Sequence, residues 1–149
     1  MNSILYFAFG SNLHAIQMHG RCPKARKIGP ATLYGYRLAF CGYSLRWDGG
    51  TATAIADQKS KVQGLLYELN PDGLFALDLY EGIPWIYQRR KRVVTSQNGE
   101  SVNAYVYLLR DREPNKPSKV YYKVIEMAYL ELNFDVQMLK DAMEEAKNG

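Results

Sequence analysis

A chain of 149 residues with 47% apolar side chains can build one domain, spanning 1–149, around a single core. Its formal net charge of +4 is mild, admitting an acidic small molecule or weak nucleic-acid contact and demanding neither. Cys22 and Cys41 are too few for a disulfide framework, and no Cys/His cluster has zinc spacing, so a protein with reduced thiols in the cytoplasm is expected. The N-terminus lacks a basic leader region, and no apolar run approaches the roughly 20 residues of a membrane span.

The first element is a continuous apolar strand over 4–9, broken by Gly10. Ser11 or Asn12 then suits the N-cap of a short helix over 13–19, with Gly20 as its stop. Residues 31–44 predict a strand in which Gly35 marks a bulge or a close backbone approach. A Gly-Gly turn at 49–50 is expected to lead into a strand through 56, with a separate strand over 62–69. Asn70 as N-cap, Pro71 at the first helical position and Gly82 as stop frame a helix. Strands over 86–95 and 101–109 form a hairpin across an Asn-Gly turn, and a polar, proline-containing loop follows. Two helices close the chain, over 119–132 and 136–147, the second capped by Asp135 with Val136, Leu139 and Met143 on one face. The order predicts an α+β fold: a small mixed β-barrel of five or six strands flanked by helices.

Chemistry is sparse in the usual places. His14 and His19 stand five apart, a poor fit to one helical face, which argues against a metal pair. Ser11 lies in no GxSxG elbow, and neither a P-loop nor GxGxxG occurs. Arg89, Arg90, Lys91 and Arg92 form the one basic cluster, but on a strand they alternate between faces, which favours a solvated strand over a nucleic-acid site. Twelve tyrosines fit either half-buried strands or a pocket whose hydroxyls fix polar ligand atoms.

Two features remain. Leu74, Leu77, Asp78 and Glu81 fall at i, i+3, i+4 and i+7 of one helix, so two leucines that must face inward take Glu81 with them. Burial raises a carboxylate's pKa toward the range of a general acid/base. The alternative is a Glu81 paired with Arg89 or Arg90, or one left in water at the helix rim. Secondly, the amides of Gly10, Ser11 and Asn12 follow a strand and can form an anion-binding nest, or simply an N-capped turn.

Taken in order, "YFAFGSNL" (6–13), "WDGGTATA" (47–54), "GLLYELN" (64–70), "LDLYEG" (77–82), "YVYLL" (105–109) and "PSKVYYKVI" (117–125) resemble the γ-glutamylcyclotransferase-like, or AIG2-like, family over nearly the whole chain. The resemblance implies cleavage of a γ-glutamyl amide by the substrate's own α-amine, releasing 5-oxoproline and a free amino acid or amine, with a γ-glutamyl amino acid ahead of an amine. It implies Glu81 as acid/base and the Gly10, Ser11, Asn12 and Leu13 turn on the glutamyl moiety. Tyr6, Tyr87, Tyr107 and Tyr121 match pocket tyrosines, and neither metal nor organic cofactor is implied. Phe9 stands where the family usually has Tyr, and Trp85 and Arg89 fall on the leaving-group side of the pocket. A non-catalytic binding module of the same fold is the alternative, distinguished by an outward or arginine-paired Glu81. The implied partner is a small-molecule γ-glutamyl substrate, with no nucleic acid and no membrane, while the exposed face of the terminal helices is open to a homodimer contact or to solvent.

Overall fold

A computed structural model describes residues 4–148. Strand β1 (Ile4–Ala8) delivers the chain into a 3-10 turn (Ser11–Leu13) and helix α1 (Ala15–Arg21). Strands β2 (Arg26–Ser44) and β3 (Gly49–Leu69) form a long hairpin, followed by helix α2 (Pro71–Glu81). Strands β4 (Tyr87–Ser96) and β5 (Ser101–Leu109) form a second hairpin before helices α3 (Lys119–Leu132) and α4 (Val136–Lys147).

The strands close into a barrel in the order β1-β3-β2-β4-β5. Every pairing is antiparallel except the closing one, where β1 meets β5 in parallel at Tyr6 and Tyr105. With a neighbour on each side, β1 buries Phe7 and Ala8 completely, as its unbroken apolar run requires. The expected mixed barrel is therefore present with five strands.

The missing sixth strand comes from β3, which runs on where a break between 56 and 62 was expected. Residues 57–60 loop out of register, β2 pairing resuming from Tyr36 opposite Ala56 to Tyr34 opposite Lys61. Asp57 satisfies this bulge itself, its carboxylate accepting from Lys59 N at 3.1 Å and Ser60 Oγ at 2.9 Å. Gly35 takes up the matching irregularity on β2 with a φ of 83°. β2 also starts five residues early, at Arg26, where an ion pair to Glu68 at 2.9 Å extends the ladder.

The Gly49-Gly50 pair is strand rather than turn. The reversal occupies residues 45–48, where Asp48 adopts a φ of 56° and accepts from Tyr43 Oη at 2.6 Å. Gly50 is needed for close approach: its N–H donates to Lys116 O at 2.9 Å, and a Cβ there would run into the Asn115 carbonyl. The polar 110–117 loop is thereby strapped to the barrel, with Asn115 N donating to Phe40 O at 3.1 Å.

The first helix departs from expectation as well. Neither Ser11 nor Asn12 caps it: Gly10 precedes the 3-10 turn, His14 precedes α1, and neither makes a side-chain cap bond. Both side chains are engaged elsewhere, and α1 continues through Gly20 to Arg21, whose side chain returns to them. The later helices begin where expected, two of them on the caps named from sequence, Asn70 and Asp135. Asn70 accepts from Gly73 N, Ser118 from Tyr121 N and Asp135 from Gln137 N. α3 buries Tyr121, Ile125, Ala128 and Tyr129, and α4 buries Leu139, Ala142 and Ala146, with Val136 and Met143 half-buried. An Arg37–Glu145 pair at 2.8 Å ties α4 to β2. Among the described residues no helix is long and apolar enough to cross a membrane.

Candidate active site

The last turn of α2 is built by local rules. Gly82 adopts a φ of 68°, Gly82 N donates to Leu79 O at 3.3 Å and Ile83 N to Asp78 O at 3.1 Å, which is a Schellman closure. This fixes Glu81 as the final helical residue. Leu77 of the same face is fully buried and Leu74 packs against the core, so the helix is held with its carboxylates turned inward.

Glu81 opens onto a cavity of about 300 Å³ between the 3-10 turn, the end of β2 and the 45–48 reversal, β3, β4 and α3. The cavity wall includes Tyr6, Phe9, Gly10, Ser11, Asn12, Glu81, Tyr87, Tyr107 and Tyr121. Eight of the nine residues expected at the site thus meet there. Leu13 does not: it is buried in the core, and its N–H is already donated to Gly10 O at 3.0 Å. The N–H groups of Ser11 and Asn12 are the first amides of the 3-10 turn, so neither finds an acceptor within it.

Asp78 and Glu81, the two acidic groups in the second half of α2, have opposite fates. Asp78 accepts from Tyr107 Oη at 2.7 Å and from the Arg89 guanidinium, so it is fully engaged. Arg89 is therefore neither the partner of Glu81 nor a cavity residue, and Trp85 points into solvent at 83% exposure. The expected reshaping of the leaving-group side by these two residues is corrected accordingly. Arg89 reaches the cavity only by fixing Asp78, which fixes Tyr107. The Glu81 carboxylate itself makes no hydrogen bond or ion pair among the described residues.

Burial raises Glu81 from the ordinary 4.5 to about 7, opposed in part by the positive charges of Arg21 and Arg46. The carboxylate stands at the negative end of the α2 dipole, which also disfavours its ionised form. A ¹³C titration of the Glu81 side chain is expected to show a midpoint near 7. Arg21→Gln removes an opposing cation and should move that midpoint to higher pH; a midpoint in the ordinary carboxylate range would contradict the burial.

Each tyrosine expected at the site is held by a specific bond. Tyr6 Oη accepts from Asn12 Nδ2 at 2.9 Å, and Tyr121 Oη accepts from Ala52 N at 2.9 Å. Tyr87 Oη donates to Ala52 O at 3.1 Å and pairs with Thr51 Oγ1 at 2.8 Å. Burial first pushes all four phenols upward, with Asp78 the next cause at Tyr107 and the charge of Glu81 adding at each, so all four stay protonated at neutral pH, the protons of Tyr87 and Tyr107 being given to Ala52 O and Asp78. All four rings share the cavity wall with the Glu81 carboxylate.

Sequence reasoning missed a second group of residues. Arg21 donates to Ser11 Oγ at 3.0 Å, to Gln17 Oε1 at 2.9 Å, to Asn12 Oδ1 and to Tyr80 Oη. Trp47 Nε1 also donates to Tyr80 Oη, at 3.0 Å. The Tyr80 ring carries two guanidiniums, Arg21 with Cζ 3.6 Å and Arg46 with Cζ 4.1 Å from its centroid. In sequence Arg21 reads as an ordinary cation at a helix end, and only the fold brings it to residue 80. The one available signal was Tyr80 itself, immediately before the glutamate. Among the described residues no group of three or more His, Cys, Asp or Glu could hold a metal ion.

Residues 6–125 match the family model described as gamma-glutamyl cyclotransferase, AIG2-like. The chain is 34% identical over 130 residues to the gamma-glutamylcyclotransferase of Homo sapiens, covering 84% of this chain and 69% of the relative. It is 32% identical over 143 residues to that of Bos taurus, covering 93% and 76%. A solved structure described as a gamma-glutamyl cyclotransferase superposes with a TM-score of 0.86 at 30% identity, over 95% of this chain and 86% of the other. The chain belongs to the γ-glutamylcyclotransferase, AIG2-like family.

Proposed function

We propose that this protein is a γ-glutamylcyclotransferase in which Glu81 is the general acid/base. The observation that carries the assignment is the unpaired Glu81 carboxylate in a partly apolar cavity whose other polar side chains are hydroxyls, phenols, one amide, one indole and one guanidinium. An outward or arginine-paired Glu81 would have favoured a non-catalytic binding module, and neither arrangement occurs.

The substrate supplies the nucleophile, which accounts for a site whose wall holds no cysteine and whose Ser11 has no base beside it. Its α-amine attacks its own γ-carbonyl carbon, a new C–N bond closes the five-membered ring, and the original amide C–N bond breaks. Glu81 removes a proton from the attacking nitrogen and returns it to the departing one, so charge and protons balance. Holding the extended glutamyl chain folded is the larger contribution, because an intramolecular reaction in the correct geometry gains an effective molarity of about 10⁵ M or more. Ser11 and Asn12 N–H groups receive the glutamyl carboxylate, and Tyr6 and Tyr121, which only accept within the protein, have hydroxyl protons to offer the reacting carbonyl, while Tyr87 and Tyr107 shape the wall beside it. Gly10 lets the substrate approach the backbone. A pKa near 7 suits the task, since the same group must accept and then donate near neutrality.

Nucleic acid plays no part in this reading: Arg89 and Lys91 flank the Tyr105 ring while Arg92 donates to Tyr36 Oη, so the basic cluster is divided between two surfaces. Cys22 and Cys41 are buried free thiols, which suits a cytoplasmic protein. The test is 5-oxoproline release from a panel of γ-glutamyl amino acids and γ-glutamyl amines, with N-acetylated substrates as controls. Release is expected from the free-amine substrates alone, because acetylation removes the nucleophile. Release from acetylated substrates, or silence across the panel by folded protein, would overturn the proposal.

A further inference from the structure

The cavity wall holds one acidic side chain, Glu81, and one basic side chain, Arg46. Arg21 is occupied by four acceptors, whereas Arg46 has no carboxylate partner among the described residues and is held by Tyr80, through the ring and a 3.5 Å contact from Nη1 to Tyr80 O. The stacking orients the guanidinium while leaving its outer edge free, since a planar cation on a ring still presents in-plane donors. Arg46 lies on the 45–48 reversal beside Leu45, which is 90% exposed, at the solvent end of the cavity. An unpaired, pre-oriented guanidinium at the exit of a site is a receptor for a carboxylate.

A γ-glutamyl amino acid carries two carboxylates, and the Ser11 and Asn12 amides account for one. The geometry points to Arg46 as a specificity-determining residue that binds the α-carboxylate of the leaving amino acid and so selects γ-glutamyl amino acids over γ-glutamyl amines. This assignment rests on the cyclotransferase reading above. It also gives Tyr80 a role: its ring is the platform, and its neighbour in sequence is the catalytic carboxylate, so leaving group and acid/base are positioned from one helix end.

The test compares γ-glutamyl-alanine with γ-glutamyl-ethylamine, its counterpart lacking the leaving-group carboxylate, in wild type, Arg46→Gln and Arg46→Lys. The ratio of kcat/KM for the amino acid over the amine is expected to fall about tenfold or more in Arg46→Gln, mainly through KM, and less in Arg46→Lys, which keeps the charge without the fork. The same ratio is read as dissociation constants by calorimetry on Glu81→Gln and on Glu81→Gln/Arg46→Gln, where turnover is not required. An unchanged ratio, or equal losses on both substrates, overturns the assignment. Absence of turnover by wild type with calorimetric selectivity that depends on Arg46 would overturn the cyclotransferase reading and leave Arg46 as the carboxylate receptor. Binding of neither compound would overturn both.

Discussion

Glu81→Gln is expected to lose at least two orders of magnitude in kcat while binding a γ-glutamyl substrate within a few-fold of wild type. The amide is nearly isosteric and no hydrogen bond or ion pair is broken by the exchange, because the carboxylate makes none among the described residues. What disappears is the ability to take a proton from the α-amine. The same variant should be more stable than wild type at alkaline pH. Burial raises the Glu81 pKa from 4.5 to about 7, so the folded state holds that proton more tightly than the unfolded state. Stability is therefore full below pH 4.5 and falls as pH rises toward 7. At roughly 1.4 kcal/mol per tenfold change in proton affinity, and allowing for the cavity's access to water, the loss is about 2 kcal/mol at pH 8. Thermal unfolding should show Glu81→Gln ahead of wild type at pH 8 and level with it near pH 4.5. Parity at both would contradict a buried, strained carboxylate.

Gly10→Val is expected to weaken substrate binding at least tenfold, measured by calorimetry in the Glu81→Gln background. A Cβ at Gly10 would stand 3.2 Å from Ala52 Cβ and 3.4 Å from Tyr121 Oη, so the first carbon already fills the available gap. The two further methyls of valine must displace Tyr121, whose hydroxyl holds Ala52 N at 2.9 Å, or enter the cavity. Gly10→Ala separates these effects: it should fold, lose less affinity, and retain the Tyr121 bond. Wild-type affinity in both variants would mean that the turn does not meet the ligand.

The pair of variants exposes which parts of the molecule a linear reading reaches. The frame of α2 follows from Asn70, Pro71 and Gly82, each acting within four residues of itself, and Glu81 was placed on the correct face because Leu74 and Leu77 share it. The α4 start follows from Asp135 in the same way, and α3 begins where expected, on a Ser118 cap that the structure adds. What escaped depends on distant contact. Gly20 looks like a helix stop, yet α1 persists because Arg21 binds Ser11, Asn12 and Tyr80, the last 59 positions away. The polar run at 57–61 looks like a loop, yet Asp57 satisfies its own bulge and the partner strand holds β3 together. Gly49 and Gly50 look like a turn, yet the loop around Asn115 requires their lack of a side chain. Arg46 carried no signal in sequence and Trp47 only its place in a familiar stretch, because their partner, Tyr80, stands over thirty positions on.

The most direct measurement follows γ-glutamyl-alanine by NMR at pH 8 with wild type beside Glu81→Gln. Wild type is expected to give 5-oxoproline and alanine in equal amounts and no glutamate, and the variant neither product at a comparable rate. Glutamate in place of 5-oxoproline would mean that water and not the substrate's amine is the nucleophile, and undiminished 5-oxoproline from Glu81→Gln would mean that the proton is carried by another group.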